Sequence, residues 1–277
     1  MRVRFGPAGT PTKYKGETTG IPEFLKEIGL DAFEYQAVYG VKISKETAIE
    51  LGKKAEECDV LLSLHAPYYI NLNGAEDVIE KSIDRLVKSA WAAELMNAYR
   101  IVFHPGFYGK KSSKEATETI AESLKKAVEM AKAKGYKKFI YSPETMGKVK
   151  TFGTLDEILK LCSLVEEHCL PTIDFAHIYA RTQGGLRTKD DILKIIEQVE
   201  KEFPEAVKPL HTHFTEVEYG PSGEKKHIVM GKGKPDFKII AEALIETGVD
   251  AVVISESPVL EIDALKMKEI LEGLKKS

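Results

Sequence analysis

Cysteine is scarce in this sequence: Cys58, Cys162 and Cys169 are the only three, and no pair falls in a C-x-x-C spacing. That excludes a thiolate metal site and a disulfide scaffold, and it points to a reduced, cytoplasmic setting. Long apolar runs are missing as well. No stretch approaches the roughly 18 apolar residues that a membrane span requires, and the opening MRVRFGPAGT lacks the apolar segment of a secretory signal. The expectation is a protein with no membrane partner. An excess of positive charge is also absent, with 40 Lys and Arg against 43 Asp and Glu. A uniformly basic nucleic-acid coat is therefore excluded, and a polyanion would have to be met by basic residues gathered on one face.

What the chain does have is alternation. Strand-like runs at 2–6, 31–36, 60–65, 100–104, 137–144, 170–174, 207–213 and 250–256 alternate with amphipathic segments. Those segments lie near 21–28, 44–57, 75–97, 113–134, 154–167, 188–202, 235–247 and 261–275. Within the fourth, Ile120, Leu124, Val128 and Ala131 recur at helical spacing among Glu and Lys. Eight strands and eight helices in 277 residues, 43% of them hydrophobic, predict an α/β fold, a (β/α)8 TIM barrel, as one domain over 1–277. The competing open sheet usually has a short Gly-rich turn after its first strand, and GPAGTPTKYKG at 6–16 is too long and proline-rich for one. Segment 214–234 is the longest non-helical insertion, and loops of that length are often functional.

Of the seven histidines, His65, His104, His177, His211, His213 and His227 fall at or just after the C-terminal end of a predicted strand. Only His168 does not, and it is assigned no role. In a barrel these strand ends open on the one face where active sites form. Glu144, Asp174 and Glu256 end strands on the same face. Gathering carboxylates and imidazoles there is costly without a compensating positive charge, so the pattern predicts a metal centre. Mixed N and O ligands suit zinc, manganese or iron. One ion takes about four ligands, and more are on offer, so two or three ions are implied. His211 and His213 are two apart on one strand and share a face, which suits one as ligand and the other as its support.

In order, these motifs resemble those of the endonuclease IV family of abasic-site DNA endonucleases, from about residue 60 onward. The resemblance is carried by HAPYYINL at 65–72, FHPG at 103–106, Pro143-Glu144-Thr145 and DFAHIYARTQGGLRT at 174–188. HFTE at 213–216, HIVMGKG at 227–233 and SESP at 255–258 complete it. It implies a xylose-isomerase-like barrel with three zinc ions. His65, His104 and Glu144 would hold the first, and Glu144 would bridge to a second completed by Asp174, His213 and Glu256. His177 and His227 would hold the third. It further implies that Glu144 is catalytic and that Tyr68, with Tyr69 beside it, contacts DNA and enters the base stack. The implied reaction is hydrolysis, by hydroxide held between the metals, of the phosphodiester 5′ to an abasic site in double-stranded DNA. A monomer is expected.

The sequence departs from that pattern in three places. The family has an Asp two residues before its last His, where this chain has Lys225, with Glu224 next to it. GPAGTPTKYKG replaces the first-strand histidine motif, and EYQAVYGVKI at 34–43 lacks an arginine expected in a DNA-contacting loop. An alternative reading is a single-metal sugar isomerase or epimerase of the same superfamily, which Glu144, Asp174, His213 and Glu256 would satisfy unaided. That reading leaves His65, His104, His177 and His227 without a purpose. A third is a DNA-binding or regulatory barrel that has lost catalysis. The strand-to-helix loops hold many basic residues, among them Lys42, Lys110, Lys111, Lys148, Lys150 and Arg181, which favours a polyanion at this face.

Overall fold

The computed structural model describes residues 1–276. Its first half runs β1 (Val3–Pro7), α1 (Ile21–Glu27), β2 (Ala32–Gln36), α2 (Lys45–Cys58), β3 (Leu61–His65), α3 (Glu76–Met96), β4 (Ile101–Phe103) and α4 (Ser113–Ala133). The second half continues with β5 (Tyr141–Pro143), α5 (Leu155–Val165), β6 (Ile173–Asp174), α6 (Phe175–Arg181), α7 (Lys189–Glu202) and β7 (Leu210–Phe214). It ends with β8 (Glu216–Gly220), β9 (Gly223–Ile228), α8 (Phe237–Thr247), β10 (Ala251–Ser255) and α9 (Glu261–Lys275).

Eight parallel strands close into the expected TIM barrel. Two arcs, β1-β10-β7-β6 and β2-β3-β4-β5, make up the ring. An Ala8–Glu34 bridge joins β1 to β2, and Tyr141–Cys169 and Glu144–Thr172 bridges join β5 to the run into β6. The first and last barrel strands lie side by side, with Val3 opposite Ala251. At the β1–β2 seam only glycine fits position 6, because a Cβ there would sit 1.7 Å from the Ala32 carbonyl oxygen. Strand period then sorts the side chains. Phe5, Phe33, Leu62, Leu64, Ile101 and Phe103 pack outward in the core shared with the helices. Ala32, Val252 and Ile254 fill the barrel floor, with Leu61 and Tyr99 against them. Polar residues occupy the layers above.

Helix ends follow local chemistry. Ser112 and Glu115 cap α4 reciprocally, as do Thr154 and Glu157 at α5 and Thr188 and Asp191 at α7. Glu157 does more than cap. Its carboxylate accepts from the Gly153 and Thr154 amides and from the Tyr108 and Ser113 hydroxyls. Tyr108 in turn accepts from Arg181, which also donates to the carbonyls of Lys148 and Thr151. Burial raises the Glu157 pKa, but these donors outweigh it and leave the group below its ordinary value. Its stabilisation is therefore complete above the ordinary carboxylate range and is lost as acidification passes through the depressed folded value. Glu157→Ala is expected to cost about 2–3 kcal/mol near neutral pH, the scale of losing hydrogen bonds to a buried charge. Urea unfolding of both chains across pH checks it, and a penalty that does not shrink in acid would refute the ionic account.

The structure trims several expected strands, two of them for a definite local reason and one most severely, and adds a helix and a hairpin. The ladder expected over 137–144 starts at Tyr141, because the amides of Lys137 and Lys138 donate to the Glu94 carboxylate instead of to a neighbouring strand. The strand expected over 207–213 begins at Leu210, after Pro209, which has no N–H to give. The one expected over 170–174 is reduced to Ile173–Asp174. Asp174 then caps the unexpected helix α6 by accepting from the His177 amide. Within 214–234 the chain forms the antiparallel β8–β9 hairpin.

Candidate metal centre

The strand ends deliver the expected residues to one place. His65 ends β3, His104 follows β4, Glu144 follows β5, and Asp174 ends β6. His213 lies on β7, Glu256 follows β10, His177 is on α6, and His227 is on β9. Among the described residues four groups result, each with ligand atoms lying within 4.8 Å of one another, and three of them are built around the strand-end residues; the fourth joins His211 and His213 to Glu34. The first is His65, His104 and Glu144. The second is Glu144, Asp174, His213 and Glu256. The third is His177, Glu224 and His227.

Glu144 is the hinge of the arrangement. It is fully buried, with Oε2 3.0 Å from His104 Nε2 and 3.6 Å from His65 Nε2. Its Oε1 lies 3.2 Å from both His177 Nδ1 and His213 Nδ1. Burial pushes its carboxyl up, but His213, His104 and His177 outweigh burial and hold it well below the ordinary range. Asp174 shows the opposite balance. Burial, added to the nearby charges of Glu144 and Glu256, raises it to about 6.

Hydrogen bonds assign the imidazole tautomers. Nδ1–H of His65 donates to the Ala66 carbonyl, that of His177 to Thr145, and that of His227 to Glu256. Each bond fixes Nδ1 as a donor and turns Nε2 toward its cluster, where a cation that displaces the Nε2 proton would find the lone pair, which is how a metal-ligating histidine is normally prepared. Three buried atoms at the first two clusters, His65 Nε2, Glu144 Oε2 and Asp174 Oδ2, have no hydrogen-bond partner among the described residues. Native interiors rarely leave such atoms unsatisfied, and a cation held by these donors would satisfy all three. The residues fit a metal.

The third group answers the question raised by Lys225. Val217 pairs with His227, Glu218 with Lys226, and Tyr219 with Glu224, so Lys225 is an extra, bulged residue. The bulge shifts the face on which residue 224 emerges and places Glu224 beside His227. Its oxygens lie 3.2 Å from His177 Nε2 and 3.5 Å from His227 Nε2. Lys225 turns away to Glu218. Burial raises the Glu224 carboxyl, but the hydrogen bond with His177 and the charge of His177 prevail and bring it to about 2. Gly147 is tight against this group, since a Cβ there would come within 2.9 Å of the Glu224 Cβ.

The two tyrosines part company. Tyr68 is half exposed and lies parallel to the His104 ring, with centroids 5.3 Å apart. It lines a cleft of about 380 Å³ over the clusters with Phe107, Met146 and Lys148. Tyr69 points elsewhere, with the Arg85 guanidinium over its ring. The basic rim is thinner than its sequence suggests: Arg181 is committed to loop carbonyls, and Lys226 pairs with Glu218. His168 stacks on Phe139, remote from the clusters.

His211 lies behind the second cluster, and beside it is a residue that the sequence reading passed over. Glu34, on β2, is fully buried and meets both His211 and His213. The available signal was a charged residue on the barrel-facing side of its strand, between Ala32 and Gln36.

Residues 22–277 match the family described as xylose isomerase-like TIM barrel. An uncharacterised protein of Methanocaldococcus jannaschii is 36% identical over 98% of this chain and 97% of its own. A Mycoplasmopsis pulmonis protein named “Probable endonuclease 4” is 24% identical over 93% of this chain and 87% of its own. Among solved structures, endonuclease IV from Thermus thermophilus superimposes with a TM-score of 0.74 at 20% identity, covering 98% of this chain and 99% of that one. A D-tagatose 3-epimerase-like protein gives a TM-score of 0.69 at 22% identity, covering 93% of each chain. At these identities the likeness is one of fold, which does not choose between a nuclease and an epimerase. With its match running through all but the first strand, the chain belongs to the xylose isomerase-like TIM barrel family.

Proposed function

We propose that this chain is a metal-dependent endonuclease that hydrolyses the phosphodiester 5′ to abasic sites in double-stranded DNA, for base excision repair. The observation that carries the reading is the third group, His177, Glu224 and His227, contiguous with the other two. A single-metal isomerase needs only Glu144, Asp174, His213 and Glu256, and has no use for a further set of prepared imidazoles. In this reading His65, His104 and Glu144 hold one zinc, and Glu144, Asp174, His213 and Glu256 a second. His177, Glu224 and His227 hold a third. Manganese or iron suits the same ligands. Bound there, the ions supply an activated water at neutral pH and neutralise charge on the phosphate and the leaving oxygen.

The protein's own contribution is placement. Glu144 would serve two neighbouring clusters with one side chain, and the carbonyl-anchored imidazoles would turn Nε2 toward a cation without further rearrangement. Lys148 lines the cleft and offers a cation to the DNA backbone. Tyr68 lies flat against His104 at the cleft mouth, and in this reading its ring stacks where a base is missing. Tyr69 has a supporting place at most. The protein acts as a cytoplasmic monomer, with the barrel as its one domain over 1–277.

The deciding experiment incubates purified, metal-analysed protein with a duplex carrying one abasic-site analogue, with and without a chelator. Chelator-sensitive incision 5′ to the lesion, with two or three bound ions, is the expected result. No incision with one bound ion would transfer the reading to a sugar isomerase or epimerase. Tyr68→Ala is expected to lower the preference for abasic over intact duplex roughly tenfold, the scale of one lost stacking contact. Unchanged preference in a binding competition would refute that role.

A further inference from the structure

Glu34 is fully buried and reaches across the barrel from β2 to β7. Its Oε1 lies 3.0 Å from His213 Nε2, and its Oε2 lies 3.1 Å from His211 Nε2. The Ser63 hydroxyl donates to Oε2 at 2.9 Å, and the Gln36 amide to Oε1 at 3.1 Å. Both carboxylate oxygens are thus taken by donors, and neither is among the buried atoms without a partner. Although Glu34, His211 and His213 lie close enough to hold an ion, this trio is complete as a hydrogen-bonded unit. The Tyr99 hydroxyl closes its far end at 2.6 Å from His211 Nδ1.

His213 differs from three other imidazoles of the centre in a way that matters. His65, His177 and His227 are each anchored through Nδ1–H to a backbone carbonyl, which no substitution removes. His213 is anchored through Nε2, to a side chain. Its Nδ1 points the other way, 3.2 Å from Glu144 Oε1 and 3.3 Å from Glu256 Oε1. We propose that Glu34 is the positioning residue of the second cluster: its carboxylate holds the Nε2–H of His213 and thereby presents the Nδ1 lone pair between Glu144 and Glu256. The inference rests on the metal reading above. It assigns His213 as an Nδ1 ligand and His211, with Tyr99, as the brace that keeps Glu34 in line.

Glu34→Gln tests it, because the amide keeps the shape but can accept through only one of its two polar atoms. One imidazole N–H then loses its acceptor. The variant is expected to bind one equivalent of zinc about 10–100-fold more weakly than the parent, the usual cost of losing an outer-shell partner. The remaining equivalents are expected to stay unchanged in a competitive chelator titration. A second measurement needs no variant: two-bond proton–nitrogen correlation spectra of the zinc-loaded parent report which His213 nitrogen carries the proton. Protonated Nε2 with a liganded Nδ1 is expected. An Nδ1–H tautomer in the parent, or parent-like affinity for every zinc equivalent in E34Q, would overturn the proposal while leaving the metal centre standing. A parent that binds no zinc would instead overturn the metal reading, and this inference with it.

Discussion

Replacing Glu144 with glutamine is expected to slow incision of abasic duplex by on the order of 10,000-fold, about 5.5 kcal/mol of barrier. The reason is that one side chain serves two clusters. Its Oε2 faces His65 and His104, and its Oε1 faces His177 and His213. Glutamine keeps the outline but replaces one of those oxygens with an NH2 group that cannot ligate, and removes the negative charge from both clusters together. The fold is expected to survive, because the Glu144 backbone is held by its own bonds, its N–H donating to the Phe103 carbonyl. Single-turnover incision together with metal analysis separates the outcomes. Cleavage within tenfold of the parent would remove Glu144 from the chemistry. Lost cleavage with full metal content would leave it a catalytic role but not a bridging one.

Zinc added to chelator-stripped protein is expected to raise the unfolding midpoint by about 10 °C or more. Each site filled at about a thousandfold over its Kd contributes roughly 4 kcal/mol, and a chain of this size gains about 2–4 °C per kcal/mol. The gain should also depend on pH in a definite direction. Asp174 is held at about 6 by burial and by its neighbours Glu144 and Glu256. In the stripped protein this raised group destabilises the fold progressively as pH climbs from its ordinary carboxylate value to about 6. A bound cation removes that penalty but must displace the proton to do so. The gap between loaded and stripped midpoints is therefore expected to widen as pH rises through this window. Calorimetry in paired buffers measures it. A gap that is flat or narrows with rising pH would show that Asp174 does not hold the ion.

Much of this was legible in the sequence, and the failures have physical causes. The helix at 113–134 was visible because its apolar stripe, Ile120, Leu124, Val128 and Ala131, is long enough to display a period. The seven-residue α6 was not, because two turns are too few to display a period, and its cap is Asp174, which reads first as a ligand. Single strand-end histidines were equally plain, since a barrel brings all its strand ends together whatever lies between them. Glu224 was obscured by spacing: three residues from His227 on an unbroken strand it would face the opposite side, and only the bulge at Lys225 reverses that. Glu34 was hidden for another reason. Its partners His211 and His213 lie on a strand far along the chain, and a charged residue between Phe33 and Tyr35 has no local feature announcing what it meets.

The pairing of β1 with β10 sets an order of events in the life of the chain. Glu256 follows the last barrel strand, and that strand finds its place only between β1 and β7. A growing polypeptide emerges N-terminus first, so His65, His104 and Glu144 are out of the ribosome well before Glu256 appears. Until β10 inserts, the ring stays open along that seam, and the second cluster lacks one of its carboxylates. Complete assembly of the cluster therefore waits for β10, the last strand of the barrel to leave the ribosome.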